Sequence, residues 1–84
     1  MTKIKFLTMP GCHTCETVKQ ILDEVMADFK DKAVVVTIDM TTPEGQKLVQ
    51  KYGIMASPGV IINDELFSTG GVDRDKLIDK LKSL

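Results

Sequence analysis

The chain of 84 residues has no tryptophan, one tyrosine, three phenylalanines, one histidine and two cysteines. Each scarcity excludes something. Two cysteines cannot make the multi-bridge framework of a small secreted scaffold. With two cysteines and one histidine, Cys12, Cys15 and His13, all within four positions, a closed four-ligand zinc site inside one monomer is not expected. Excess charge of one sign is missing too: 11 basic side chains against 12 acidic ones leave a formal charge of −1. Lys3, Lys5, Lys19, Lys30, Lys51 and Arg74 are scattered, so neither nucleic acid nor an anionic membrane surface is expected as a partner. No segment approaches the ~18 apolar residues of a membrane span. The opening M-T-K-I-K-F-L-T-M-P carries two lysines but neither a long apolar region nor a small-residue cleavage site, so the expected location is cytoplasmic. In a reducing compartment a lone cysteine pair points to catalysis or metal binding rather than to a permanent staple.

What is present reads as one domain, residues 1–84, with a modest core. Lys3–Thr8 has strand character, Ile4 and Phe6 on one face and Leu7 on the other, and Met9-Pro10-Gly11 ends it. From Cys15, apolar residues recur at Val18, Ile21, Leu22, Val25, Met26 and Phe29, the three-and-four spacing of a helix with one buried stripe. Ala33-Val34-Val35-Val36-Thr37-Ile38 is a near-continuous β-branched run, as in a strand covered on both faces. Pro43 suits the first turn of a second helix, Leu48, Val49 and Tyr52 form its inner face, and Gly53 stops it. Gly59–Ile62 predicts a strand, Asn63-Asp64-Glu65 a hairpin loop, and Leu66–Thr69 the returning strand. After Gly70-Gly71, Asp73 predicts an N-cap for a last helix with Leu77, Ile78, Leu81 and Leu84 inward. The order β-α-β-α-β-β-α defines an α/β fold, with strands one and two parallel and strands three and four antiparallel.

The chemistry concentrates in Cys12-His13-Thr14-Cys15, at the start of the first helix. There the unsatisfied N–H groups and the positive end of the macrodipole favour a thiolate over a thiol. A second cysteine one turn along can close a small disulfide ring with it. Cys12 is then the exposed attacking thiolate and Cys15 the shielded resolving thiol, working through a mixed disulfide. A protonated His13 would favour the Cys12 thiolate further and make the pair more oxidising; otherwise it is an ordinary exposed side chain. Taken locally, the pair could instead bind a soft metal such as linear copper(I), or be two inert cysteines.

Downstream, I-D-M-T-T-P-E-G-Q-K-L-V-Q-K-Y-G-I-M-A-S-P-G-V resembles the middle of a thioredoxin: a strand ending in Asp39, then Tyr52-Gly53-Ile54, then Pro58. The segment S-P-G-V-I-I-N-D-E-L-F-S-T-G-G-V-D-R-D is also similar to glutaredoxins. The resemblance spans essentially the whole chain. It implies a minimal thioredoxin fold, a four-stranded mixed sheet flanked by three helices, in a small glutaredoxin-like or thioredoxin-like redox protein. It implies a redox-active Cys12–Cys15 disulfide and a cis Ser57–Pro58 bond beside it. Backbone groups of Ser57 would then meet an extended substrate, and Gly70, Gly71 and Asp73 could hold glutathione, although Asp73 may equally serve only as a helix cap. No bound cofactor is implied. Electrons would come from a flavin-dependent, thioredoxin-reductase-like enzyme or from glutathione, substrates would be protein disulfides, and the default state is a monomer.

The sequence departs from these families at three places. Gly11 stands where thioredoxins carry a tryptophan. Phe6 occupies the position of their buried aspartate, so Cys15 must lose its proton another way, through water or Glu16, or lose it more slowly. Cys-His-Thr-Cys lacks the proline and the aromatic residue of the glutaredoxin motif, which puts glutathione use in question. The rival reading is a small copper- or zinc-binding chaperone, whose domains also place Met-x-Cys-x-x-Cys after a first strand; here Met9 lies near that pattern, but those domains end in a strand and this chain ends in a helical pattern.

Overall fold

A computed structural model describes residues 2–84. Strand β1 (Thr2–Thr8) leads to helix α1 (His13–Met26), strand β2 (Ala33–Asp39), helix α2 (Pro43–Tyr52), the hairpin β3 (Gly59–Ile62) and β4 (Glu65–Thr69), and helix α3 (Arg74–Lys82). The sheet order is β2-β1-β3-β4. β1 pairs parallel with β2 and antiparallel with β3, and β3 pairs antiparallel with β4. This is the expected α/β architecture and strand pairing.

Sequence explains where elements begin and end. The Thr42 hydroxyl accepts the Gly45 N–H at 3.1 Å, Pro43 opens α2, and Gly53 closes it in the left-handed region (φ 64°). Asp73 caps α3 by accepting the N–H groups of Asp75 and Lys76 at 3.0 and 3.2 Å. Between β3 and β4 the turn is only two residues, Asn63 and Asp64, both with positive φ, and Glu65 already belongs to β4. Asparagine and aspartate tolerate that region best among non-glycine residues, and the resulting primed turn matches the twist of the strands.

Alternation along β1 divides the core. Ile4 and Phe6 join Val60 and Ile62 under α1 and α3, packing against Cys15, Val18, Leu22 and Val25 on one helix and Leu77 and Leu81 on the other. Leu7, Ile38 and Ile61 face α2, with Met40, Ile54, Leu48, Val49 and Tyr52. Each fully buried aliphatic or phenyl side chain contributes about 1.5–3 kcal/mol. α2 sits tight on the sheet because Gly45 has no side chain: a Cβ there would lie 2.1 Å from the Asp39 carbonyl oxygen.

Three expectations need correction. The β-branched run is not covered on both faces: β2 is an edge strand, with Val34 and Val36 41 % and 36 % exposed. α2 is anchored by Gly45 at the Asp39 end of β2, so it covers Ile38 and leaves the beginning of the strand bare. β-branching there serves strand propensity more than burial. α1 ends at Met26, and Phe29 reaches the core from a following turn closed by the Lys32 and Ala33 N–H groups on its carbonyl. Leu84 lies beyond the end of α3 and is exposed.

Candidate active site

Cys12 is the N-cap of α1, in extended conformation, so its side chain folds back over the first turn. Its Sγ accepts the Cys15 N–H at 3.0 Å and is bonded to the Cys15 sulfur as a disulfide. Gly11, at φ 75°, makes the left-handed bend that brings the chain from β1 into this cap, a conformation L side chains rarely adopt. The two cysteines are unequal. Cys12 is half-buried at the surface, whereas Cys15 is 3 % exposed and embedded in the core cluster with Phe6 and Val18.

The Ser57–Pro58 peptide is cis, as the resemblance implied, and its loop faces the cap. Ser57 Oγ lies 3.5 Å from Cys12 Sγ. Sequence reasoning gave Ser57 a role only through its backbone; the hydroxyl contact depends on two loops 45 residues apart and has no local signal. Pro58 is buried, and its carbonyl accepts the Gly70 N–H at 2.8 Å, which seats the Gly70–Gly71 loop beside the same site. Among the apolar residues next in sequence to the cap and to this loop, Met9, Met55 and Ala56 are exposed, Met55 at 97 %.

The remaining candidates divide. His13 projects into solvent, 99 % exposed, with Nδ1 3.9 Å from a Glu16 carboxylate oxygen. Glu16 is exposed as well and stands outside the cluster that holds Cys15. Asp73 uses one carboxylate oxygen on its two cap bonds. Phe6 fills the interior behind Cys15, and the described residues include no buried polar or charged residue to take the Cys15 proton. Nor does any group of three or more Cys, His, Asp or Glu gather among the described residues into a metal-ligand cluster.

A vicinal dithiol at a helix N-terminus, one sulfur reachable and the other shielded, facing a loop that opens a strand, defines a thiol–disulfide exchange protein. The family model for the thioredoxin domain matches residues 2–83, and the chain belongs to that family. It is 30 % identical over 80 residues to a thioredoxin of Methanocaldococcus jannaschii, covering 95 % of this chain and 92 % of that one. It is 31 % identical over 81 residues to a probable thioredoxin of Methanothermobacter marburgensis, covering 96 % and 93 %. Among solved structures it matches thioredoxin-2 of the malaria parasite with a TM-score of 0.80 and 16 % identity, over all of this chain and 84 % of that one. The chain is thus a thiol–disulfide oxidoreductase built on Cys12 and Cys15.

Proposed function

We propose that the protein reduces disulfides in other proteins, with Cys12 as nucleophile and Cys15 as resolving thiol. The observation that carries this is the inequality of the two sulfurs: Cys12 at the surface on a helix N-terminus, Cys15 3 % exposed. In the reduced protein the Cys12 thiolate attacks one sulfur of a substrate disulfide. That bond breaks, one substrate sulfur leaves as thiolate, and a mixed disulfide forms. Cys15 then gives up its proton and attacks Cys12 Sγ. The second substrate sulfur leaves, and the Cys12–Cys15 disulfide closes with the substrate reduced by two electrons. The Cys15 N–H donates to Cys12 Sγ, and the Ser57 hydroxyl, 3.5 Å away, can donate to it once it is a thiolate, so both would stabilise its charge.

An extended substrate segment lies along the Ala56–Pro58 loop, using the backbone groups of Ser57, with Gly70 and Gly71 leaving room on the far side. His13 modulates the pair through its charge, across solvent. A flavin-dependent reductase of the thioredoxin-reductase kind or glutathione returns the protein to its dithiol form, in the cytoplasm. With Asp73 engaged as a helix cap, the reductase fits this chain better as electron donor than glutathione does.

The test is reduction of a model protein disulfide with each electron source supplied in turn. Cys12→Ser is expected to lower turnover to background, and Cys15→Ser to accumulate mixed disulfides visible on a non-reducing gel. Near pH 7, iodoacetamide should modify Cys12 of the reduced protein well before Cys15. Equal, slow alkylation of both thiols in the folded protein would overturn the assignment.

A further inference from the structure

The edge of β2 is open, and its pattern of free backbone groups is its own complement. Lys32 C=O receives the Thr2 N–H and Met40 N–H binds Thr8 C=O, so even-numbered residues of β2 direct their backbone groups at β1. Odd-numbered residues therefore direct theirs outward, where no further strand of the described residues lies. Two of those outward groups are already satisfied: Ala33 N–H by the Phe29 carbonyl at 2.9 Å, and the Asp39 carbonyl by the Thr42 N–H and hydroxyl at 3.2 and 2.7 Å. Left over are three donors, the N–H groups of Val35, Thr37 and Asp39, and three acceptors, the carbonyls of Ala33, Val35 and Thr37.

We propose that β2 pairs antiparallel with β2 of a second copy of this chain, about a two-fold axis through Val36. In that register Asp39 N–H meets the partner's Ala33 carbonyl, and Val35 and Thr37 exchange both of their bonds with the partner's Thr37 and Val35. All six free groups on each strand are used, and the two already satisfied are not needed. Shifting the axis to Val35 would set Asp31 opposite Asp39 and lose this match. On the α2 side of the sheet, Val36 meets its own copy and Val34 meets the partner's Ile38, covering the two valines that α2 leaves exposed. Ala33–Ile38 carries no proline and no charge, the usual guards on an exposed edge.

The symmetry is isologous and closed, so pairing stops at two copies in an eight-stranded sheet. Because Cys12 follows the end of β1, which runs parallel to β2, the two-fold axis sends the two active sites to opposite rims. Both stay open to substrate. This dimer replaces the monomer expected by default.

Sedimentation over a concentration series is expected to show the mass rising from the chain's 9.3 kDa towards twice that value. V36K puts two lysines face to face on the axis and should reduce the dimer fraction by at least about tenfold with disulfide reduction unchanged. In a C12S/C15S background, V36C should crosslink to itself rapidly, because facing residues of a non-hydrogen-bonded pair have Cα atoms about 4.5 Å apart, within disulfide reach. V34C should not, since its two copies would stand about 14 Å apart along the strands. A wild-type protein that stays monomeric at the highest concentration it tolerates overturns the proposal. So does a dimer that survives V36K, or V34C crosslinking as fast as V36C.

Discussion

The two faces of the sheet are built to different standards. Under α1 and α3 every strand contributes to one continuous cluster, and Cys15 is part of it. Under α2 a smaller cluster fills only the end near Asp39, and the other end presents Lys3, Val34 and Val36 to solvent. A chain this short cannot cover both faces fully. It places its complete core behind Cys15 and leaves the incomplete face at the edge formed by β2.

Mutation can break that contrast. Phe6→Ala removes a buried ring from the complete face and is expected to cost about 3–5 kcal/mol, whereas Val36→Thr on the bare face should stay within about 0.5 kcal/mol in the monomer. Urea unfolding of both variants, at a concentration where the chain is monomeric, makes the comparison; similar losses would mean the faces are equally packed. Gly45→Ala probes the point where α2 is pinned. Its Cβ meets the Asp39 carbonyl oxygen, which is backbone and cannot swing aside, so a loss of about 3 kcal/mol is expected, at the upper end for overpacking. Thermal unfolding reads it, and a neutral result would show that α2 can shift along the sheet.

The smallest effect concerns acid. Asp39 accepts the Thr41 hydroxyl at 2.6 Å and the Thr41 N–H at 2.8 Å, and these bonds, the hydroxyl first, hold its carboxyl below its ordinary value of 3.8. A carboxylate whose folded pKa is depressed contributes stability that is complete above the unfolded value and is lost as pH falls through the folded one. Wild type should therefore lose slightly more stability than Asp39→Asn on going from pH 5 to pH 3. Parallel pH profiles for the two would remove the carboxylate from the account. Asp39 is only half-buried and solvent screens its carboxylate, so the difference should be small.

Much of this was legible in the chain itself. Val18, Leu22 and Val25 carry helical spacing, Gly53 and Asp73 carry their caps, and Pro43 marks a first turn, because each of these signals is local. The Cys12–Cys15 asymmetry was legible for the same reason: a helix start exposes one residue and turns another inward. The cis Ser57–Pro58 bond came from family resemblance alone. The rest depended on distant parts meeting. The Ser57 hydroxyl beside Cys12 requires two loops to close on each other, and the bare stretch at Val34 and Val36 follows from where Gly45 lets α2 settle. A run of valines reads the same in either setting, since β-branching favours a strand whether or not anything covers it.

The even-and-odd direction of the β2 backbone also divides its amides by their access to water. Val34, Val36 and Ile38 point theirs into the sheet and would hold their hydrogens through many openings of the fold. Val35, Thr37 and Asp39 point theirs outward, free to trade with solvent deuterium whenever nothing lies alongside. The strand is thus a built-in isotope record, protected at every second residue when alone and along its whole length when occupied.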